Sequence, residues 1–209
     1  MRALAFVAQE FRPYPDLKPP PCERQHRLTA REIDVNRGCE VVALNALRLE
    51  SLLRAGSVMR GSLNDEREMH FGYWRDICER KERHFRGGLF VDDRDLVGTM
   101  TARPWGEDKT IAMWGGAYVS EELRQNGLPQ PDGAVQREGL AAPLYKARED
   151  WTRSHFRAAV LYVRAVNKKV LKIQINRGAE IIREEMRPYA DGSIAPAYLL
   201  KRSFGVNAL

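Results

Sequence analysis

The chain has 209 residues, of which 44% are hydrophobic and 30% are charged, and its formal net charge is +6 at pH 7. This length predicts a single domain whose core is large enough to fold without disulfides or a structural metal. The hydrophobic content excludes a mainly disordered chain. The positive charge suits an anionic partner such as a phosphorylated cofactor. No Lys/Arg tract is interleaved with aromatic residues, so we expect no dedicated nucleic-acid binding.

The cysteines and the N-terminal residues bear on the cellular compartment of the protein. Cys22, Cys39 and Cys78 are widely spaced, they form no CxxC pair, and the sequence has no His/Cys cluster. This pattern predicts reduced thiols and no metal site. The apolar start "MRALAFVAQEF" is too short for a signal-peptide core or a membrane span. The sequence therefore predicts a cytoplasmic protein without a membrane span.

The chain begins with a proline-rich segment. Residues 13–25, "PYPDLKPPPCERQ", contain too many prolines to form a helix. We therefore predict that residues 1–28 form an arm or strand that packs on a single domain of residues 29–209.

Two helices are predicted to open this domain. Thr29 and Glu32 have the spacing of a capping box, which predicts a helix from there to Gly56. The helical spacing of apolar residues predicts a second helix over about Asn64–Arg86.

A strand-rich region follows. Residues 87–105, "GGLFVDDRDLVGTMTARPW", predict two strands joined by a tight turn at Asp92–Asp95. Residues 109–119, "KTIAMWGGAYV", predict a third strand with two glycines inside it. Glycine within a strand marks a bend or the close approach of another chain.

The C-terminal part alternates between helix and strand. An apolar stripe predicts a helix over about Gly139–Phe156, and the apolar run at 158–166 predicts a central strand. A short helix over Asn167–Arg177 and two closing strands at 179–185 and 197–204 complete the order. An antiparallel meander followed by a β-α-β crossover predicts an α/β fold, a mixed sheet with helices packed on it.

One short motif carries the chemistry. "QREGLA", residues 136–141, leads directly into the predicted helix. A helix start preceded by glycine offers unpaired N–H groups and the positive end of the helix dipole, which together bind phosphate. The pattern Gln136-x-x-Gly139-x-Ala141 resembles the diphosphate-binding signature of the GNAT acyltransferases, which use acetyl-CoA or a related acyl donor. The resemblance covers roughly residues 88–204.

The resemblance implies a GNAT-like fold with extra N-terminal helices and acetyl-CoA or another acyl-CoA as co-substrate, without a metal. It implies that main-chain groups at the end of the third predicted strand grip the pantetheine arm. Amides of the loop before the helix would hold the diphosphate, and an Asn at the start of the next helix would contact the arm. The donor-binding residues expected on this basis are Ala117, Tyr118, Val119, Arg124, Gln136, Arg137, Glu138, Gly139, Leu140, Ala141, Ala142 and Asn167.

A second register of the same signature remains open. Arg124-x-x-Gly127-Leu128 lies at the usual distance from the strand, but Pro129 stands where the family has a small residue. We favour the later match because it continues into an amphipathic helix. Residues 128–135 are then an insertion.

The catalytic residues are harder to assign. Many GNAT enzymes carry a Tyr that protonates the departing thiolate, and here Gln174 stands at that place. An amide is no general acid, so the proton would come from water or from a side chain such as Tyr145. Glu121 and Glu122 follow the third predicted strand and are the nearest acids by sequence, so they are the candidate general bases.

The resemblance implies an N-acyltransferase that most simply moves acetyl to a primary amine by direct attack in a ternary complex. The acceptor, a small molecule or a protein, is left open, as is a homodimer. One alternative is a long-chain N-acyl synthase using acyl-CoA or acyl carrier protein, whose acidic surface Arg75, Arg83 and Arg86 would meet. Another is a non-catalytic CoA-binding module, which the missing Tyr at 174 motivates.

Overall fold

The computed structural model describes residues 26–79 and 83–205. The elements in chain order are β1 (Leu28–Glu32), α1 (Gly38–Ala55), α2 (Leu63–Arg67), α3 (Phe71–Cys78), β2 (Phe85–Val91), β3 (Asp95–Trp105), β4 (Asp108–Val119), α4 (Glu121–Asn126), β5 (Leu128–Pro129), β6 (Val135–Gln136), α5 (Ala142–Arg153), β7 (Ala158–Arg164), α6 (Lys168–Asn176), β8 (Glu180–Pro188) and β9 (Ile194–Ser203).

Seven strands form one mixed sheet in the order β1-β2-β3-β4-β7-β9-β8. β4 and β7 pair in parallel, and the other neighbours pair antiparallel. The run "AAVLYVR" of β7 lies within this order between β4 and β9 and is mostly buried, as its continuous apolar sequence predicts. The fold class predicted from the sequence is therefore confirmed.

Helices cover the two faces of the sheet. On one face α5 packs across β1, β2 and β3, and its buried Leu144 joins Leu89 and Met100 in one cluster. On the other face α1 packs on β3, and Leu44 joins Phe90 and Cys78. Leu89 and Phe90 are consecutive in β2 and serve opposite faces, as the alternation of a strand requires.

Much of the predicted order is confirmed. β2 and β3 form the expected hairpin, and Asp92 and Asp93 adopt positive φ angles of 52° and 57° in its turn. The glycine-containing strand, the long helix, the apolar strand, the short helix and the closing pair correspond to β4, α5, β7, α6, β8 and β9.

The prediction for the first helix is wrong at its start. The Thr29–Glu32 spacing that suggested a capping box lies in β1, where Thr29 is opposite Phe90. The helix begins only at Gly38. Cross-strand pairing with β2 therefore overrides the local capping signal. Leu28 already belongs to β1, and residues 1–25 of the predicted arm lie outside the described residues.

The second predicted helix, Asn64–Arg86, is wrong as a single element. The side chains of Ser62 and His70 each accept a backbone hydrogen bond, and so start two separate short helices, α2 and α3. Phe85 and Arg86 lie in β2 opposite Ala102 and Thr101.

A short helix and a small hairpin separate β4 from α5. α4 is capped by Ser120, whose hydroxyl accepts from the Leu123 amide, and β5 and β6 form a small separate hairpin. Within the described part of the chain, no helix is both long and apolar enough to cross a membrane.

Candidate functional site

A gap opens between the two parallel strands at the centre of the sheet. β4 and β7 pair only from Ile111 opposite Ala158 to Met113 opposite Val160. Beyond this point β4 continues to Val119 and β7 to Arg164 without pairing to each other. The edge of β4 that faces the gap therefore offers main-chain N–H and C=O groups to a ligand.

A β-bulge lies in β4 where the gap begins. Thr99 is opposite Tyr118 and Thr101 is opposite Gly115, so β4 has one more residue than β3 over this stretch. Gly116 takes a φ of 60°, the left-handed conformation that a glycine adopts at little cost. A bulge leaves one residue out of the ladder. Main-chain groups at Gly116 and Ala117 can therefore turn toward the gap.

The loop before α5 carries the predicted signature and is open to solvent. Gly139 has a φ of 68°, and a Cβ built on it would meet nothing within 4 Å. Leu140 anchors the loop, because its buried side chain packs with Leu123 and Leu128. The Ala142 amide donates to the Gly139 carbonyl over 2.8 Å, and α5 begins at this turn. The Ala142 amide is used in this turn, Pro143 has no N–H, and the Tyr145 amide donates to the Ala141 carbonyl over 3.0 Å. The helix therefore contributes mainly the positive end of its dipole to this open corner.

The two registers of the signature differ in the space around their glycine. A Cβ on Gly127 would lie 2.4 Å from Val135 and 2.7 Å from the Gln136 carbonyl, so the β5–β6 hairpin fills the space beside it. Gly139 has open space instead. This difference favours the later register, with residues 128–135 as the insertion.

Polar side chains of the loop are partly engaged with each other. Arg124 donates to the Val119 carbonyl over 2.9 Å and lies over the ring of Tyr118. Gln136 donates to the Glu138 carbonyl, and Arg137 donates to the Gln125 carbonyl. A recess of about 530 Å³ lies beside Gly139. Its lining residues are His26, Arg27, Leu28, Leu128, Gln130, Gln136, Gly139 and Pro143.

Asn167 lies at the start of α6, as expected from the sequence, and its contact with the donor stays a prediction. This residue is the N-cap, and its Oδ1 accepts from the Val170 amide over 3.2 Å. Gln174 lies on the inner side of the same helix and is 1% exposed. Its Oε1 has no hydrogen-bond partner within the described ranges.

The three predicted catalytic side chains do not meet in one place. Glu121 pairs with Arg54 at 3.0 Å, and together with Glu122 it lines a recess at the end of β4. Tyr145 is half-buried in the first part of α5, and the guanidinium of Arg177 lies 5.2 Å from its ring centroid. The structure therefore separates the two acids from the tyrosine.

Tyr118 points away from the gap toward α1. Its hydroxyl donates to Glu50 over 2.8 Å, and the Glu121 amide donates to the same carboxylate oxygen over 2.7 Å. Burial, together with this bond to Glu50, raises the pKa of Tyr118 to about 12. Any contact of Tyr118 with a ligand in the gap is therefore made by its main chain.

A cleft of about 640 Å³ opens over the bulge on the face covered by α1 and α3. Its floor includes Met113, Gly115 and Gly116 of β4 and Tyr162 of β7, the strands that bound the gap. The remaining lining residues are Leu44, Arg48, Ser51, Val58, Met59, Arg60, Gly61, Glu66, Tyr73, Trp74, Ile77, Arg86, Thr99, Thr101, Arg103 and Trp114. The cleft thus reaches the free edge of β4 from the side opposite α5.

A buried cation, Arg148 of α5, lies against β4 on the side of the sheet opposite the cleft. The Arg148 guanidinium lies 4.1 Å from the Trp114 ring centroid, and Trp114 donates to Thr152 over 2.9 Å. Burial lowers the pKa of Arg148 to about 10. Its Nε has no hydrogen-bond partner among the residues that the structure describes.

Several solved structures that match this chain are described as acetyltransferases. One of the GNAT family from Streptococcus pneumoniae matches with a TM-score of 0.66 and 13% identity, over 85% of this chain and 100% of its own. The chain has the GNAT fold. A candidate acetyltransferase from Salmonella typhimurium, solved with acetyl-CoA, matches with a TM-score of 0.67 and 12% identity, over 88% of this chain and 97% of its own. For a spermidine N-acetyltransferase from Vibrio cholerae, solved with CoA and spermine, the TM-score is 0.58 and the identity 14%, over 84% of this chain and 95% of its own. No protein-family model matches the sequence, and no curated protein matches it.

Within this GNAT fold, sequence reasoning missed the residues of the cleft. The local pattern places Arg86 on a solvated helix and Arg103 in an ordinary strand, yet both line the cleft. Tyr162 does so too, although its run is apolar. The local signal that points to them is weak, namely polar residues in otherwise buried strands, such as Arg86 in "FRGGLFV".

Proposed function

We propose that the chain is an acyl-CoA-dependent N-acyltransferase that transfers acetyl to a primary amine by direct attack in a ternary complex. The observation that carries this proposal is the alignment of three features along β4. An open helix start lies beyond its end, a free strand edge follows, and a bulge at Gly116 borders a cleft.

The donor would bind through main-chain groups. We propose that the amides of Gly139, Leu140 and Ala141 hold the diphosphate, with Gln136, Arg137, Glu138 and Ala142 forming the rest of the loop. Arg124 and Arg137 add positive charge, and charge-assisted hydrogen bonds to phosphate are strong. Ala117 and Val119, with the main chain of Tyr118, would grip the pantetheine arm in the gap, and the free amide group of Asn167 would meet it from α6.

The chemical step needs little from side chains. A neutral amine in the cleft attacks the thioester carbonyl carbon, a C–N bond forms and the C–S bond breaks. A main-chain N–H at the bulge, near Ala117, would donate to the carbonyl oxygen as it becomes negative. The nitrogen loses one proton and the sulfur gains one.

The amine proton has a candidate acceptor in the cleft. Tyr162 lines the cleft, and its hydroxyl is the main cause that holds the pKa of Glu185 below its ordinary value. We propose that Tyr162 takes the amine proton while its own proton passes to Glu185. Glu121 and Glu122 line another recess, so they would act only through a chain of water. Tyr145 remains the candidate donor to the departing thiolate.

A short acyl group fits the cleft better than a long one. Arginine side chains line the space over the bulge together with aromatic rings, and a long alkyl chain would lie against these charges. A long-chain donor, delivered by CoA or by acyl carrier protein, is the alternative. A homodimer stays a prediction.

A melting scan tests the proposal. We expect acetyl-CoA to raise the unfolding temperature, because a ligand at one hundred times its Kd stabilises by about 2.7 kcal/mol. Long-chain acyl-CoA should stabilise less. Release of free CoA thiol on addition of an amine then reports transfer. Stabilisation without transfer to any amine would favour a non-catalytic CoA-binding module, and no stabilisation by any CoA compound would contradict donor binding.

A further inference from the structure

The cleft over the bulge is strongly cationic. Four arginines line it, and Glu66 is its only acid among the described residues. Glu66 is already engaged, because both of its oxygens accept from Arg48, over 2.7 Å and 2.8 Å. Arg60, Arg86 and Arg103 form no ion pair with any described residue, so the lining carries uncompensated positive charge.

Two of these arginines lie on the strands next to the bulge. Arg86 of β2 is opposite Thr101 of β3, and Thr101 is opposite Gly115 of β4. Neighbouring strands lie about 4.8 Å apart, so the backbone of Arg86 is about 10 Å from that of Gly115. Arg103 is two residues beyond Thr101 on the same face of β3, diagonal to Arg86 and opposite Met113.

Among the described residues, Arg86 is a cation that no acid pairs with. Burial lowers the pKa of its guanidinium, and the positive charge of Arg48 lowers it further. Its Nε is buried and has no hydrogen-bond partner in the described ranges. The adjoining recess, which shares Arg86 and Arg103, also holds Glu32 and Glu79, and Glu79 pairs with Arg75 at 3.7 Å. A buried charge without a partner is costly, and a bound anion would remove that cost.

We propose that the acceptor of this transferase is an amine that also carries an oxyanion, which binds to Arg86 and Arg103 while its amino group is held beside Gly116. This inference rests on the proposed N-acyltransferase function and names its substrate class. Two strand spacings separate Arg86 from β4 and one separates Arg103 from it, and this short span suits a small amino acid or an amino phosphonate. A polyamine would bring positive charge into a positive cleft.

A matched panel of acceptors tests the class. With acetyl-CoA as donor, several L-amino acids are compared with their carboxamides, with their aminophosphonate analogues and with spermidine, by release of CoA thiol. We expect kcat/KM to be about 10- to 100-fold higher for acids than for the matching amides, the value of a charge-assisted contact. The phosphonates distinguish a carboxylate site from a phosphate site. Equal rates for acids and amides, or a preference for spermidine, would overturn the inference and leave the acyltransferase function intact.

Substitutions of the cleft arginines test where the oxyanion of the acceptor binds. Arg103→Gln changes an exposed side chain and should raise KM for the anionic acceptor without changing Kd for acetyl-CoA. Arg86→Gln should raise the KM for the anionic acceptor more than Arg103→Gln does, and it should abolish the preference for acid over amide. Arg86→Lys should retain part of that preference. Arg75→Gln, on an exposed arginine outside the cleft, is the control. Unchanged acid-to-amide ratios in folded Arg86 and Arg103 variants would refute the site. Failure of the unaltered protein to bind acetyl-CoA would instead refute the proposed function.

Discussion

Replacing Gly139 by aspartate should block the donor while leaving the fold intact. Its φ of 68° makes any other residue strained, at a cost of about 1–2 kcal/mol, but a Cβ there meets no atom within 4 Å. The new carboxylate would occupy the open corner where two or more amide–phosphate hydrogen bonds are proposed. Each such bond contributes about 1.5–3 kcal/mol, so losing two weakens binding by about 3–6 kcal/mol. At 1.4 kcal/mol per factor of ten, Kd for acetyl-CoA should rise at least about 100-fold.

Calorimetric titration with acetyl-CoA measures this change, and Gly106→Asp is the matched control. Gly106 lies in the β3–β4 turn at the opposite end of β4, has a φ of 58° and also meets nothing within 4 Å. Both variants therefore carry the same strain and the same added charge. If the two bind acetyl-CoA equally well, the diphosphate does not lie at Gly139 and the reasoning fails.

Three further predictions concern proton transfer and stability. Tyr162→Phe should lower kcat by about 100-fold with little change in Kd for acetyl-CoA, as loss of a general base does; an unchanged pH–rate profile would contradict the relay. Tyr145→Phe should lower kcat, and the loss should be smaller for thioester donors whose thiol leaving group is more acidic and needs less protonation. Comparing kcat across such thioesters checks this, and equal losses for all donors would exclude proton donation by Tyr145. Glu149→Gln should lower the free energy of unfolding by about 1–3 kcal/mol at neutral pH, measured by urea denaturation.

The Glu149 prediction carries a pH dependence. Burial raises the pKa of Glu149, but hydrogen bonds from Arg153 and Arg177 outweigh this effect and the pKa lies below the ordinary value of 4.5. Arg202 adds a bond of 2.6 Å. The stabilisation is therefore fully present above pH 4.5 and is lost as the pH falls through the lowered pKa. Glu149→Gln should remove this part of the acid-induced loss of stability, and an unchanged pH dependence would contradict the assignment.

The C-terminal part of the fold follows from local pattern. Local sequence signals mark these elements. They are the hairpin turn at Asp92–Arg94, the continuous apolar run of β7 and the helical spacing of apolar residues in α5. β1 was missed because its existence depends on pairing with β2, which is distant in sequence, whereas Thr29 and Glu32 imitate a cap locally.

The loop proposed to bind the donor could be predicted from the sequence, and the cleft proposed to bind the acceptor could not. Gly139 belongs to a contiguous motif, and glycine readily adopts the positive φ angle that this position has. Arg86 and Arg103 come together with Gly115 only through the register of three strands. No spacing within one segment encodes that register, since it is set by long-range pairing and by the bulge at Gly116.

Amide chemical shifts test the central claim most directly. When acetyl-CoA is titrated into the ¹⁵N-labelled protein, the account predicts the largest changes at Gly139–Ala141 and at Gly116 and Ala117, with none at Gly106. Changes at only one end of β4, or confined to the β8–β9 loop, would contradict a donor that spans the gap from the start of α5 to the bulge.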